Sequence, residues 1–230
     1  MACLTLTVKP IPSISEITSL QRYLHDVFPA KENMSYLQDL VDKTRPAPPH
    51  ITIARLGALA LLPPLLLNAK INTNELVLSR NEHGRPFCFS ESSPVGFDFN
   101  VSHSKHHIAC ALWIGSKQVG VDLEEPLTPA RAEPLIRRYC TDGERALLFG
   151  LSPQAAADEF TRIWTVREAL AKQAGQGRPL LYDASRIPPD TNIFCGRVSD
   201  TGTVLSLSFP DSLHTNDVQI SADSLPIIRI

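Results

Sequence analysis

The sequence predicts an α+β protein built in two halves. Apolar residues recur at helical spacing early in the chain, and strand-like segments then gather between residues 75 and 124. The same order follows again, with helical patterns from 129 to 172 and β-rich segments from 193 to 221. The halves meet near residues 115–118, which divides the chain into 1–116 and 117–230. No repeat of residue identities accompanies the repeated order, so the division rests on element order alone.

Each element has a local reason. Ser13 and Glu16 have capping-box spacing, and Ile14, Ile17, Leu20, Leu24 and Val27 follow at helical intervals. The connection Pro46-Ala-Pro-Pro49 precedes a second helix over 51–62, stopped by Pro63-Pro64. Residues 75–80 and 95–102 read as strands, and the apolar run 107–114 as a buried strand. Gly115-Ser-Lys-Gln118 then predicts a turn that pairs 107–114 with 119–124 as a hairpin. Helices follow at 129–139 and 142–150. A longer one begins at Ser152, with Pro153 in its first turn, and runs to Lys172 before Gly175 and Gly177. Strands at 193–198, 203–209 and 218–221 complete the chain, with Thr203, Leu205, Leu207 and Phe209 on one face.

Composition narrows the class. The chain has 230 residues, 22 Lys+Arg against 24 Asp+Glu, 43% hydrophobic and 20% charged residues. That balance belongs to a folded protein with no whole-chain attraction for nucleic acid or anionic lipid. Five scattered cysteines without a C-x-x-C pair disfavour a disulfide framework and a thiolate zinc site. The opening residues lack a basic and apolar leader, and the apolar stretch 56–67 is too short to span a bilayer. The expectation is a cytoplasmic protein.

Chemistry enters at 119–124. Val119, Val121 and Leu123 alternate with Gly120, Asp122 and Glu124, so both carboxylates leave the face opposite the core. Two acids at that spacing repel unless a cation lies between them, and hard oxygen ligands suit Mg²⁺. A solvated edge strand would carry the same pattern. In the long helix, Trp164, Glu168 and Lys172 recur every four residues on one stripe. A surface Glu–Lys pair would explain two of them, but Trp164 makes a fully solvated stripe less natural.

Taken together, Gly120-Val-Asp-Leu-Glu124 and Trp164-Thr-Val-Arg-Glu-Ala-Leu-Ala-Lys172 resemble the paired signature of the 4′-phosphopantetheinyl transferases. Phe99-Asn-Val-Ser-His-Ser104 resembles a third block, found in the longer, surfactin-synthetase-type group. Gly84-Arg-Pro86 is similar to a Gly-Lys-Pro element, Tyr139-Cys-Thr-Asp-Gly-Glu144 to a segment that supplies another acid, and Lys172-Gln-Ala-Gly-Gln-Gly177 to the glycine-rich helix exit. The likeness covers roughly residues 75–180 in ordered pieces, and the first 70 residues match nothing assignable.

The resemblance implies two similar α+β halves related by a pseudo-two-fold axis, with the active site in the cleft between them. It implies transfer of the phosphopantetheine arm of coenzyme A to a carrier-protein serine, releasing adenosine 3′,5′-bisphosphate. Asp122, Glu124 and Glu168 would hold Mg²⁺, with Mn²⁺ as the alternative. Lys172 would neutralise the pyrophosphate and Glu168 would take the serine proton. Ser102, His103, Arg85, Arg167 and Arg55 would contact coenzyme A. Phosphate contacts thus fall on 1–116, and the metal strand and catalytic helix on 117–230. Arg167 replaces the family's usual Lys, keeping the charge with a different geometry. Glu144 has a second explanation, since Thr141 and Glu144 have capping-box spacing. A metal cluster of His103 with His106 and His107 lacks a nearby acid or cysteine.

An apo acyl or peptidyl carrier protein is the implied partner, met by a monomer. Arg131, Arg137, Arg138 and Arg145 could form the basic face that an acidic carrier needs. The carrier's pathway, whether fatty acid, polyketide or nonribosomal peptide, is not fixed by the sequence. Two other functions stay open: a non-catalytic relative that binds coenzyme A or a carrier, and a metal-dependent phosphohydrolase using the same carboxylates.

Overall fold

The layering is set by alternation along β1 (Cys3–Pro10), whose Leu4, Leu6 and Val8 are completely buried. The computed structural model describes residues 3–41, 47–92, 94–175, 190–213, 218–221, 224–225 and 227–229. Gly177 and Pro46, read above as a helix exit and part of a connection, lie outside them. A 3₁₀ turn at Ile14–Glu16 runs into α1 (Ile17–Val27), and the Ser13/Glu16 capping box is present. Then come α2 (Lys31–Leu40), α3 (Pro49–Ala60), α4 (Leu62–Asn68), β2 (Val77–Arg80), β3 (Pro86–Phe89), β4 (Phe97–His103) and β5 (His107–Ile114). The rest is β6 (Gly120–Glu124), α5 (Pro129–Tyr139), α6 (Asp142–Phe149), α7 (Pro153–Gln173), β7 (Thr191–Val198), β8 (Val204–Pro210), β9 (Val218–Ile220) and β10 (Ile227–Arg229).

Two four-stranded sheets organise these elements, with strand orders β4-β5-β1-β9 and β10-β7-β8-β6, alongside the β2-β3 hairpin. The sheets share one core. Leu4, Leu6, Val8, Ala109, Ala111 and Trp113 of the first meet Val121, Leu123, Phe194, Leu205, Leu207 and Phe209 of the second. The opposite face of the first sheet, including Phe99, Cys110 and Leu112, packs under α1 to α4. This explains the unbroken apolar run of β5, which is buried on both faces. The outer face of the second sheet is covered by α7, which packs against α5 and α6 through Ala132, Ile136, Leu148, Ala157 and Phe160.

The structure corrects two expectations. The hairpin of 107–114 with 119–124 does not form: β5 pairs with β1 and β4, whereas β6 pairs antiparallel with β8. The segment between β5 and β6 is a crossing from one sheet to the other. Pro63-Pro64 does not end the helical region either, because both prolines sit in the first turn of α4, where no N–H is required. Residues 49–68 thus make one 20-residue apolar stretch, long enough by composition to cross a membrane, but 61% buried inside the protein. In the first sheet β9 pairs in parallel with β1. The cysteines are all free.

Contact between α7 and β6 depends on the absence of a side chain at Gly120. A Cβ there would lie 1.9 Å from the Ala169 carbonyl oxygen and 2.6 Å from the Gln173 nitrogen, both backbone atoms that cannot swing aside. Ser208 on the paired strand β8 donates to that same Ala169 oxygen at 2.9 Å. Gly120→Ala is therefore expected to lower stability by about 1–3 kcal/mol or more, measured by thermal unfolding. An unchanged midpoint would show that the helix does not sit this close.

Candidate active site

The site is built on an edge strand. Among the described residues β6 has no neighbouring strand on its outer side, and its polar backbone groups are met by side chains instead. Val119, Val121 and Leu123 donate their N–H groups to Asp98 Oδ2 (2.8 Å), Asn100 Oδ1 (3.0 Å) and Ser102 Oγ (3.2 Å), alternate residues of β4 and its first sheet. The Val119 carbonyl accepts from Arg85 at 3.1 Å and the Val121 carbonyl from Lys172 Nζ at 3.1 Å. The acidic strand is thereby fixed against the strand bearing Ser102 and His103.

Asp122, Glu124, Glu168 and Lys172 line one cavity of about 650 Å³, together with Ser102, His103, Arg55 and Arg85. Lys172 Nζ lies 2.6 Å from Asp122 Oδ1 and 3.0 Å from Ser102 Oγ. Ser102 donates its own proton to Asp122 Oδ1 at 3.0 Å, so the hydroxyl uses its full hydrogen-bonding capacity. Burial, then the neighbouring charges of Asp122 and Glu168, push the Glu124 carboxyl up to about 7. Lys172 and a hydrogen bond from Trp164 pull in the opposite direction. His103 is shifted down by burial and by Lys172 and Arg55, and so tends to be neutral.

The residues present fit a divalent cation. Asp122 Oδ2 is buried without a hydrogen-bond partner, and Glu124 is raised first by burial and then by the neighbouring carboxylates Asp122 and Glu168. The donor set is hard oxygen, as Mg²⁺ prefers. The three expected ligands line the cavity, yet among the described residues no three acidic, histidine or cysteine side chains are placed so that they could hold a metal ion together. Lys172 holds one oxygen of Asp122. Such an open site matches an ion that takes one or two carboxylates and completes its shell with water and phosphate.

Other expected residues have different surroundings. Arg85 is only 8% exposed, and its guanidinium is spent on Asp98, the carbonyls of Val119 and Phe99, and the Lys172 carbonyl. It ties the β2-β3 hairpin to the end of α7. Arg167 does not line the cavity; it pairs with Glu144 at 2.5 Å and donates to the Tyr139 carbonyl at 3.0 Å. Glu144 completes the Thr141 capping box, so it braces α6 against α7 and lies away from the cavity. His107 is buried against Thr203 (3.0 Å) and Asp200 (3.4 Å), linking β5 to the β8 end rather than joining His103 and His106. Sequence reasoning missed Tyr36, Arg80 and His83, which line the same cavity. The signal was weak: Arg80 stacks on Tyr36, 5.1 Å from its ring centre, across 44 residues of separation.

Comparison with known proteins bears out the resemblance read from the motifs. Residues 118–220, which carry the acidic strand and the long helix, match the model of the 4′-phosphopantetheinyl transferase superfamily. The chain is similar to a 4′-phosphopantetheinyl transferase of Bacillus subtilis, 31% identical over 130 residues, 56% of this chain and 50% of the relative. It is similar also to 4′-phosphopantetheinyl transferase Sfp of Bacillus subtilis (strain 168), at 27% over 143 residues, 62% of this chain and 56% of the relative. A third relative is 4′-phosphopantetheinyl transferase AcpT of Escherichia coli (strain K12), at 35% over 94 residues, 41% of this chain and 46% of the relative. The chain spans about half the length of these relatives.

If the carboxylates hold a divalent ion, binding to the folded state alone must raise stability. Millimolar Mg²⁺ is expected to raise the thermal midpoint of the wild type, and to raise that of Glu124→Gln by less. An equal response in both proteins would place the ion elsewhere.

Proposed function

We propose that the chain is a 4′-phosphopantetheinyl transferase, moving the phosphopantetheine arm of coenzyme A onto a serine hydroxyl of an apo carrier protein. The observation that carries this reading is the convergence of Asp122, Glu124, Glu168 and Lys172 on one cavity. In this reading Asp122, Glu124 and Glu168 hold Mg²⁺ or Mn²⁺, and adenosine 3′,5′-bisphosphate leaves. The ion would supply charge neutralisation on the pyrophosphate.

The side chains divide the remaining work. Lys172, held by Asp122, Ser102 and the Val121 carbonyl, offers its ammonium to the pyrophosphate as charge builds on the leaving oxygen. The indole N–H of Trp164 fixes the Glu124 carboxylate. Glu168, half-buried on the cavity wall, takes the proton of the attacking serine directly or through a water. Neutral His103 meets phosphate oxygens by hydrogen bonding, and Ser102, whose proton goes to Asp122, holds that carboxylate and Lys172 in place beside them. Arg55 and Arg80, exposed at the rim, supply the cationic contacts first expected of Arg85 and Arg167, whose guanidinium groups are engaged elsewhere. Positioning and electrostatics are the principal contributions to phosphoryl transfer.

The carrier would approach over α5 and α6. Arg137 pairs with exposed Glu133 and stacks on Phe149, Arg138 stacks on Tyr139, and Leu147, Phe149 and Leu151 are exposed beside them. Arg145 is tied to Asp142 and the Cys140 carbonyl, which leaves Arg131, Arg137 and Arg138 as the basic face. The reading places the enzyme in the cytoplasm as a monomer.

The test is incubation with coenzyme A, Mg²⁺ and a panel of apo carriers, followed by mass measurement. A carrier should gain one phosphopantetheine unit, and Asp122→Ala or Glu168→Ala should abolish the gain. Reversing charge at Arg137 and Arg138 should raise the KM for carrier without altering coenzyme A binding. Hydrolysis of pyrophosphate compounds without any carrier would favour the phosphohydrolase instead; coenzyme A binding without transfer would favour a non-catalytic relative.

A further inference from the structure

We infer that Asp98 and Asn100 are positioning residues that set the register of the acidic strand β6 against β4, an inference that rests on the transferase reading. Neither has an assigned part in the chemistry, since the motif from Phe99 to Ser104 draws attention only to Ser102 and His103. Yet the spacing is strict. Side chains on one face of a strand repeat every second residue, as do the N–H groups along one edge of a neighbouring strand. Asp98, Asn100 and Ser102 therefore match Val119, Val121 and Leu123 rung for rung.

The ladder stands where, among the described residues, no strand pairs with this edge of β6. Three side-chain acceptors satisfy backbone donors that would otherwise be orphaned at a sheet edge, each orphan being costly when buried. Asn100 is the middle rung and only 2% exposed. Asp122 lies between the rungs at Val121 and Leu123, and Lys172 grips the Val121 carbonyl. A slip at the middle rung therefore moves a proposed metal ligand and the catalytic ammonium together. Asp98 has a second duty, holding Arg85, whose other bonds reach the Val119 and Lys172 carbonyls. The β4 ladder thus links both ends of the catalytic geometry, strand and helix, to the sheet that carries His103.

The test compares wild type with Asn100→Leu, which has similar volume and no acceptor, and with Asn100→Ala, which leaves room for a water at Val121. In Asn100→Leu, kcat should fall about 10²-fold and the Mg²⁺ needed for half-maximal rate should rise, while the KM for carrier holds. In Asn100→Ala the same split should appear, reduced to about tenfold. Amide hydrogen exchange on protein loaded with Mg²⁺ alone supplies a readout independent of turnover. The Val121 amide should lose protection in both variants while Leu207, in the same sheet, keeps it. Should wild type label no carrier, the transferase reading fails, and the exchange pattern still decides the ladder. Wild-type kcat, Mg²⁺ requirement and Val121 protection in Asn100→Leu would overturn the proposal. So would a uniform loss of protection across the sheet with kcat and both KM values moving together.

Discussion

An unpaired strand edge inside a protein must find partners, and this requirement shapes the wall of the cavity. Among the described residues β6 has β8 on one side and no strand on the other. Its free N–H and carbonyl groups are answered by side chains from β4, the β2-β3 hairpin and α7. Because those partners come from different elements, satisfying the edge brings them together. Ser102, Lys172 and Asp122 then lie within hydrogen-bond reach of one another as a consequence of backbone accounting.

The same arrangement concentrates charge. Three carboxylates line one cavity beside the Lys172 ammonium; burial, then the charges of Asp122 and Glu168, weakens the acid of Glu124, and one oxygen of Asp122 is left bare. Folding tolerates this because α7 is pinned from several directions. Gly120 allows its backbone to touch β6, Ser208 holds the Ala169 carbonyl, and Arg85 takes the carbonyl of Lys172. A cavity lined by three carboxylates and by Lys172, Arg55 and Arg80 suits a divalent ion carrying a polyphosphate ligand better than either alone.

Much of this was legible in the residues. Capping boxes at Ser13 and Thr141, the Ser152-Pro153 helix start and the alternation of β8 were local signals, and each held. The stripe of Trp164, Glu168 and Lys172 pointed to the cavity for the same reason, since helical periodicity is a property of neighbours in sequence. What failed was pairing. A short turn between two strands argues for a hairpin, but β6 joins β8, more than 80 residues away, because its apolar face belongs to the core between the sheets. β1 escaped notice although Leu4, Leu6 and Val8 alternate, and α2 carries too few apolar residues to stand out. Arg85 illustrates the remaining limit. A motif marks a position as special, but the partners that consume its guanidinium come from β4, β6 and α7, and no local pattern names them.

The central claim is that the β-ribbon and the long helix direct their carboxylates to a common divalent ion. Anomalous diffraction from crystals grown with Mn²⁺ and coenzyme A tests it most directly. The account predicts a single strong peak bounded by Asp122, Glu124 and Glu168, in contact with a pyrophosphate oxygen. A peak held by other residues, or nucleotide density without any metal beside those carboxylates at saturating Mn²⁺, would contradict it.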